Sequence, residues 1–254
     1  MPFLNYQQQG SGPDILLIHG LLGSLENLNM VAKGLKEHFT VTSVDVRNHG
    51  NSFHENDMDY MVLAQDVVNT MAHLKIDNAH ILGHSMGGKI AMQLALSAPE
   101  KVNKLVVADI APVIYPPHHN HIITGLKSLD FTKIKSRKDA DIQLASHVDE
   151  PSIRQFLLRN LMSTDAKFSL KCNIEFIRHC YQQIMQAYQG SATFLGDTLF
   201  IKGGDSDYIL SDHRAIINKL FPNSKAKIIQ GTGHWLHAEK TVAFNKIVND
   251  FLKR

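Results

Sequence analysis

The sequence has few of the features that mark secreted, membrane-spanning or metal-binding proteins. Its only two cysteines, Cys172 and Cys180, lie eight residues apart in a stretch with helical periodicity, which is about 12 Å along a helix axis. That separation is too long for a disulfide, and the chain contains no C-x-x-C pair and no zinc-ligand spacing. We therefore expect two half-buried thiols and no metal site.

Long apolar runs and an excess of one charge are also missing. No apolar stretch approaches the length that spans a bilayer, so we expect no membrane insertion. The N-terminal stretch 1–9 lacks the basic and apolar regions of a secretory signal, and a cytoplasmic location is the expectation. Because 26 basic residues stand against 24 acidic ones, nucleic acid is not an expected partner. The sequence makes no prediction of the oligomeric state.

The length, the composition and the order of apolar segments fit one large α/β domain, alone or with an insertion. The chain has 254 residues, of which 44% are hydrophobic and 20% charged, so it can bury a sizeable core. Short apolar runs alternate with helical periodicity in the first half, and this rhythm returns near the end, as is typical of parallel strands covered by helices on both faces. Strands are predicted at 15–19, 41–45, 80–83, 105–110, 199–202 and 227–230.

The region between these two parts has a different pattern. From about Pro116 to Gly196 the sequence shows helical segments, such as 151–161 and 172–188, and no convincing strand. We predict an all-helical insertion. Residues 1–115 and 196–254 are assigned to the α/β core and residues 116–195 to a helical cap over the strand ends, where open α/β sheets bind ligands.

The pentad Gly83-His84-Ser85-Met86-Gly87 fits the G-x-S-x-G nucleophile elbow. A predicted strand runs into it and a predicted helix, Met86 to Ala98, leaves it, which is the context the motif requires. A serine held in such a turn has its hydroxyl lifted clear of the sheet edge, so Ser85 is the candidate nucleophile. A serine hydroxyl is a poor nucleophile near neutral pH and needs a neighbouring base.

His234 is the candidate base, because it follows the last predicted strand, where the histidine belongs in the chain order Ser, Asp, His. His84 is the variable residue of the elbow, and His237 lies one helical turn too late. The base needs a carboxylate that orients its imidazole. Two sites compete for this role: Asp109, after the strand that follows the elbow helix, and Asp207, after the next-to-last strand.

An oxyanion needs two backbone donors. We assign them to the amides of Met86, directly after the nucleophile, and of Leu21, in the glycine-containing loop His19-Gly20-Leu21-Leu22-Gly23-Ser24. The histidine-rich run from Pro116 to His121 has no acid or cysteine in a defined spacing, so it is interpreted as a solvated cap entrance and not as a metal site.

These motifs together resemble the YbfF-like esterase group of the α/β-hydrolase superfamily, which is related to the ABHD-type hydrolases. The segments that carry the resemblance span nearly the whole chain and comprise 19–24, 45–52, 83–89, 109–112 and 233–240. The resemblance implies that the acid lies in Asp109-Ile110-Ala111-Pro112, which favours Asp109 over Asp207. The chain departs from the expected pattern at Thr241, where proline is expected. In 45–52, Arg47 is expected to fix its loop.

The resulting hypothesis is a serine esterase of small or short-acyl carboxylic esters, with thioesters as a further substrate class, acting through Ser85, His234 and Asp109 without a cofactor. The expected partner is a small-molecule ester. Two alternatives stay open: a hydrolase of C–C or amide bonds on the same three residues, and a non-catalytic ligand-binding protein on the same fold.

Overall fold

A computed structural model describes residues 1–165 and 167–253 of the chain and contains a seven-stranded sheet in the order β1-β3-β2-β4-β5-β8-β9. Strand β1 pairs antiparallel with β3, and the other neighbours pair in parallel. The strands of this sheet are β1 (Tyr6–Gln9), β2 (Asp14–Ile18), β3 (Thr40–Val44), β4 (Ala79–His84), β5 (Val102–Ala108), β8 (Thr198–Gly203) and β9 (Ser224–Ile229), and a separate hairpin is formed by β6 (Leu161–Thr164) and β7 (Lys167–Leu170).

The α-helices of the described chain lie between these strands or at the C-terminal end. They are α1 (Asn29–Leu35), α2 (Tyr60–His73), α3 (Met86–Ser97), α4 (Asn120–Lys127), α5 (Arg137–Leu144), α6 (Pro151–Leu157), α7 (Ile174–His179), α8 (Tyr181–Met185), α9 (Arg214–Leu220), α10 (Leu236–Glu239) and α11 (Thr241–Leu252).

The sheet separates two apolar cores because successive side chains of a strand point to opposite faces. In β2, Leu16 and Ile18 join the core that contains residues of α2 and α3. Ile15 and Leu17 join the opposite core, which contains residues of α1 and α11. The predicted α/β architecture, a mostly parallel sheet flanked by helices, is therefore confirmed, and each of the six predicted strands overlaps an observed one.

Strand β1 was not predicted, and its sequence explains why. Tyr6–Gln9 is polar and its side chains are exposed or half-buried. It lies at the edge of the sheet, where one side of the strand has no partner strand. An apolar run therefore does not mark it.

The segment between β5 and β8, which includes residues 116–195, contains α4 to α8 and the hairpin β6–β7. The prediction of an all-helical insertion is wrong on this point. Most side chains of the hairpin are exposed or half-buried, so its strands lack the apolar signal of the sheet. The predicted helix 172–188 is two short helices separated at Cys180.

Polar contacts tie residues 116–195, called the insertion below, to the helices of the core. The Tyr60 hydroxyl donates to the carbonyl of Ile184 at 2.6 Å. Lys89 donates through Nζ to the carbonyl of Gln186 at 2.7 Å, and burial lowers the pKa of this amine to about 7. The insertion is thus held next to α3, the helix that follows the elbow.

Candidate active site

Ser85 occupies the turn between β4 and α3 with backbone angles of φ 55° and ψ −122°. A positive φ is strained for a residue with a side chain, and the turn is closed so tightly that its glycines have no room for one. A Cβ atom at Gly83 would lie 2.1 Å from the carbonyl oxygen of Gly87, and one at Gly87 would lie 2.2 Å from that of Ile18. The strand and helix therefore approach closely and leave Ser85 half-buried, lining a cavity.

His234 lies in the loop between β9 and α10, with its imidazole between Ser85 and Asp109. Its Nε2 is 2.9 Å from Ser85 Oγ, and its Nδ1 is 2.8 Å from Asp109 Oδ2. A carboxylate only accepts hydrogen bonds, so Nδ1 carries the proton and Nε2 is free to accept from the serine hydroxyl. The imidazole side chain is 18% exposed and the carboxylate 0%, which leaves the serine side open to the cavity.

Asp109 follows β5 in a backbone conformation with φ 51°, and its buried carboxylate is hydrogen-bonded on both oxygens. Oδ1 accepts from the backbone N–H of Gly203 at 2.9 Å. Oδ2 accepts from His234 and from the hydroxyl of Ser206. The competing acid, Asp207, is exposed and borders a surface groove, so Asp109 is the residue that the structure brings to His234.

The two predicted oxyanion donors flank Ser85. Met86 is the first residue of α3, so its amide has no acceptor within that helix. In the 19–24 loop, the Gly23 N–H donates to the Gly20 carbonyl at 3.0 Å and closes a turn whose second residue is Leu21, and this bond does not use the Leu21 amide. Leu21, Met86 and Ser85 line the same small cavity of about 20 Å³.

Leu22, the next residue in this loop, has a φ of 58° and is hydrogen-bonded through both its backbone N–H and its carbonyl. Its N–H donates to Nε2 of His49 at 3.0 Å, and its carbonyl accepts from Nδ2 of Asn160 at 2.6 Å. Because Nε2 of His49 accepts, the proton is on Nδ1, which donates to the carbonyl of Arg47 at 2.9 Å. Burial lowers the pKa of His49 to about 3, which keeps this imidazole neutral.

His84, the variable residue of the elbow, is buried and contacts the backbone of the candidate base. Its Nε2–H donates to the carbonyl oxygen of His234 at 2.8 Å. Its ring also lies 4.4 Å from that of His237. Burial lowers the pKa of His84 well below its usual value, and it lowers that of His237 to about 4. Both imidazoles are therefore neutral near pH 7, and His84 joins the elbow to the loop of His234.

The main cavity next to Ser85 has a volume of about 380 Å³ and lies between the core and the insertion. Its wall is largely apolar, and the one carboxylate among its described lining residues is that of Glu150. No lysine or arginine belongs to the described lining, which consists of residues 19–23, 27, 28, 84, 85, 118, 119, 121, 122, 150, 153, 156, 157, 208, 234, 235 and 237.

The structure also gives the contacts of the other residues that the sequence analysis names. Arg47 forms a two-pronged ion pair with Asp66, through Nε at 2.5 Å and Nη2 at 2.7 Å, which fixes its loop against α2. Cys172 and Cys180 are buried free thiols.

His118, His119 and His121 line the main cavity. Within residues 1–165 and 167–253, no group of three or more potential ligands is arranged to hold a metal ion. No helix in these ranges is long and apolar enough to cross a membrane.

Three residues of the site were not predicted from the sequence: Ser206, Asn160 and Tyr208. Ser206 and Tyr208 flank Asp207, so the sequence prediction identifies the loop after β8 as a candidate but names only its acidic side chain. Asn160 lies more than a hundred residues from the loop that it contacts, and nothing in its local sequence marks it.

Known proteins resemble the chain over nearly its whole length. A family described as the alpha/beta hydrolase fold matches residues 13–127. The sn-1-specific diacylglycerol lipase ABHD11 of Mus musculus is 38% identical over 94% of this chain and 81% of its own. Esterase YbfF of Escherichia coli (strain K12) is 35% identical over 97% of this chain and 95% of its own.

A solved structure is similar to this chain in both sequence and fold. It is described as a marine microorganism esterase, is 37% identical, and superposes with a TM-score of 0.96 over 99% of this chain and 100% of its own. These similarities confirm the fold class and the family resemblance inferred from the motifs.

Proposed function

The chain belongs to the alpha/beta hydrolase family and is a hydrolase of the esterase and lipase type, and from that premise we propose that it is a serine esterase acting on small or short-acyl carboxylic esters. Thioesters are a further substrate class. The observation that carries the proposal is the chain of hydrogen bonds from Asp109 through His234 to Ser85, at 2.8 and 2.9 Å, on a strained elbow that opens into a cavity.

The first half of the proposed reaction transfers the acyl group to the enzyme. Ser85 Oγ attacks the carbonyl carbon of the ester while Nε2 of His234 takes the hydroxyl proton. The negative charge that develops on the carbonyl oxygen is stabilised by the amides of Leu21 and Met86. As the intermediate collapses, His234 returns the proton to the alcohol, which leaves, and Ser85 holds the acyl group as an ester.

The second half repeats these steps with water as the nucleophile. His234 takes a proton from water, the hydroxide equivalent attacks the acyl carbon, and the carboxylic acid leaves as Ser85 regains its proton. Asp109 stays ionised throughout and holds Nδ1–H of the imidazole, which stabilises the imidazolium that forms in each half. This chemistry needs no cofactor.

The cavity supports a neutral ester as substrate. Its volume of about 380 Å³ lies within the range of small-molecule sites. A largely apolar wall, with no lysine or arginine among its described lining residues, favours neutral groups over phosphorylated or carboxylated ones, because a buried anion needs a partner. We also propose that residues 116–195 act as a cap domain on a core formed by 1–115 and 196–254, since they supply part of the cavity wall.

The proposed location is the cytoplasm. Buried, unpaired Cys172 and Cys180 are compatible with a reducing compartment, in which disulfides are rare.

The test is the hydrolysis of p-nitrophenyl acetate by the wild-type chain and by Ser85→Ala. We expect turnover by the wild type and its loss in the variant, with an unchanged circular dichroism spectrum. Undiminished turnover by Ser85→Ala would refute the assignment. A panel of esters, thioesters, anilides and β-diketones then separates ester hydrolysis from amide or C–C bond hydrolysis.

A further inference from the structure

The ring of Tyr208 stacks on the imidazole of His234. Their centroids are 3.8 Å apart and their planes are inclined by 16°. Tyr208 is half-buried and lines the main cavity beside Ser85. The imidazole is held at its two nitrogens by Asp109 and Ser85, which fix positions in the ring plane. The tyrosine covers one face of the ring and limits rotation out of that plane.

The Tyr208 hydroxyl contacts two histidines of the insertion. It lies 2.8 Å from Nε2 of His118 and 3.4 Å from Nε2 of His119. Nδ1 of His118 is 2.7 Å from the carbonyl of Pro116, so in the neutral ring Nδ1 carries the proton and Nε2 accepts. The Tyr208 hydroxyl is therefore the donor to His118.

The direction of the contact with His119 follows from a second tyrosine. The Tyr181 hydroxyl accepts from the backbone N–H of His119 and lies 2.8 Å from its Nδ1. With Tyr181 as donor to Nδ1, the His119 proton is on Nε2 and points to the Tyr208 oxygen. Burial lowers the pKa of His119 to about 3 and raises that of Tyr208 to about 12, so both of these groups are neutral near pH 7.

The backbone of Tyr208 is fixed as well. Its carbonyl accepts from the Tyr115 hydroxyl at 2.5 Å, and that hydroxyl in turn accepts from the N–H of Ala111 at 2.9 Å. The N–H of Tyr208 donates to Ser206 Oγ at 3.3 Å, and Ser206 donates to Asp109. The residue is thus bonded at its amide, its carbonyl and its hydroxyl.

We propose that Tyr208 is a positioning residue: its ring holds the His234 imidazole in the plane that joins Asp109 to Ser85, and its hydroxyl fastens that ring to the 116–119 segment of the insertion. The inference rests on the proposed function. It assigns the insertion a second role besides forming the cavity wall. Tyr208 links the insertion to the base, because its hydroxyl bonds to His118 and its ring packs on His234.

The experiment measures the rate at which a fluorophosphonate modifies Ser85, together with kcat and KM for p-nitrophenyl acetate. Tyr208→Leu removes the aromatic face, and Tyr208→Phe removes the hydroxyl alone. Tyr188→Leu is the matched control, because Tyr188 is a tyrosine of the insertion whose hydroxyl accepts from the N–H of Ala192 at 3.3 Å. We expect Tyr208→Leu to react at least tenfold more slowly, Tyr208→Phe within threefold of wild type, and the control unchanged.

The completeness of the reaction separates positioning from simple loss of structure. A variant that is irreversibly misfolded in part reacts at the normal rate but leaves the misfolded fraction unmodified, whereas a mispositioned base slows the rate and allows full modification in time. We expect full modification of Tyr208→Leu, with the loss in kcat and KM within threefold. The rescue of the rate by phenylalanine relative to leucine identifies the ring as the active part.

A double-mutant cycle covers the case in which Tyr208→Leu does not fold. His118→Ala should slow the reaction two- to threefold in the wild type and have no further effect in Tyr208→Phe, because both changes remove the same bond. Equal effects in the two backgrounds, or a Tyr208→Leu rate within twofold of wild type, would overturn the inference. If the wild type itself is not modified at Ser85, the proposed function fails instead.

Discussion

The Ser206 hydroxyl and the His234 imidazole donate to the same oxygen of Asp109, Oδ2. Ser206 comes from the loop after β8, and Asp109 from the end of the neighbouring strand β5. The β8 loop also contains Asp205 and Asp207, and both of those side chains are exposed. The candidate acid and the hydroxyl that bonds to it therefore lie at two adjacent strand ends.

Replacing Ser206 by alanine should lower kcat about tenfold. The carboxylate loses a hydrogen bond to a charged acceptor, a class of bond that contributes about 1.5–3 kcal/mol, and its orientation toward His234 loosens. Steady-state kinetics with p-nitrophenyl acetate measures the effect. Ser211→Ala, at an exposed position, is the control, and equal rates for the two variants would contradict the role of Ser206.

Asp109→Asn and Asp207→Asn should differ strongly. Loss of the carboxylate at 109 removes the group that fixes the imidazole tautomer, and kcat is expected to fall about 10³-fold or more. The exposed Asp207 does not contact the imidazole, so its variant should stay within twofold of wild type. A larger loss in Asp207→Asn than in Asp109→Asn would reverse the assignment of the acid.

Asn160→Ala should reduce kcat about tenfold with little change in KM. The variant leaves the Leu22 carbonyl without the donor that holds it at 2.6 Å, and the neighbouring Leu21 amide loses its fixed position. Complete loss of one oxyanion donor costs about 3 kcal/mol, so a displaced donor should cost less. Asn69→Ala, which removes only an exposed contact with Gln65, serves for comparison. A purely higher KM in Asn160→Ala would indicate a role in substrate binding.

The protein should lose stability as the pH falls below about 6.5. The folded-state pKa is lowered to about 3 in His49 and His119 and to about 4 in His237, whereas an unfolded histidine titrates near 6.5. Between these values the unfolded chain binds more protons, so the free energy of unfolding rises with pH, by about 1.4 kcal/mol per pH unit for each such group.

Urea unfolding between pH 6.5 and 5.0 measures this slope. His237→Phe removes one titrating imidazole, whose Nδ1 has no hydrogen-bond partner within the described residues. The slope of the unfolding free energy against pH should therefore fall by the contribution of about one proton, or about 1.4 kcal/mol per pH unit. An unfolding free energy that is constant or increases toward pH 5.0 would contradict the neutral, buried state of these histidines.

The strands and the elbow could be predicted because their signals are local. Apolar runs mark β2, β4 and β5, and the elbow is a motif of five consecutive residues, 83–87, between a strand and a helix. The edge strand β1 and the hairpin β6–β7 were not predictable in this way, since most of their side chains face solvent. Their formation depends on pairing with distant or neighbouring backbone and not on apolar patterning.

The site was predictable where chain order limits the choice. Ser85 and His234 each follow a strand at a position that the motif defines, and the structure brings both to Asp109. The residues that support them, Tyr208 and Asn160, act through contacts between the core and the insertion. Such contacts depend on how the insertion folds, and no spacing in the sequence encodes them.

The central claim is that Ser85 is the nucleophile, and mass spectrometry after treatment with a fluorophosphonate tests it most directly. We predict a single covalent adduct on the peptide that contains Ser85, and no adduct in Ser85→Ala under the same conditions. Absence of an adduct at every pH from 6 to 9, or an adduct on another residue that persists in Ser85→Ala, would contradict the claim and favour a non-catalytic binding protein.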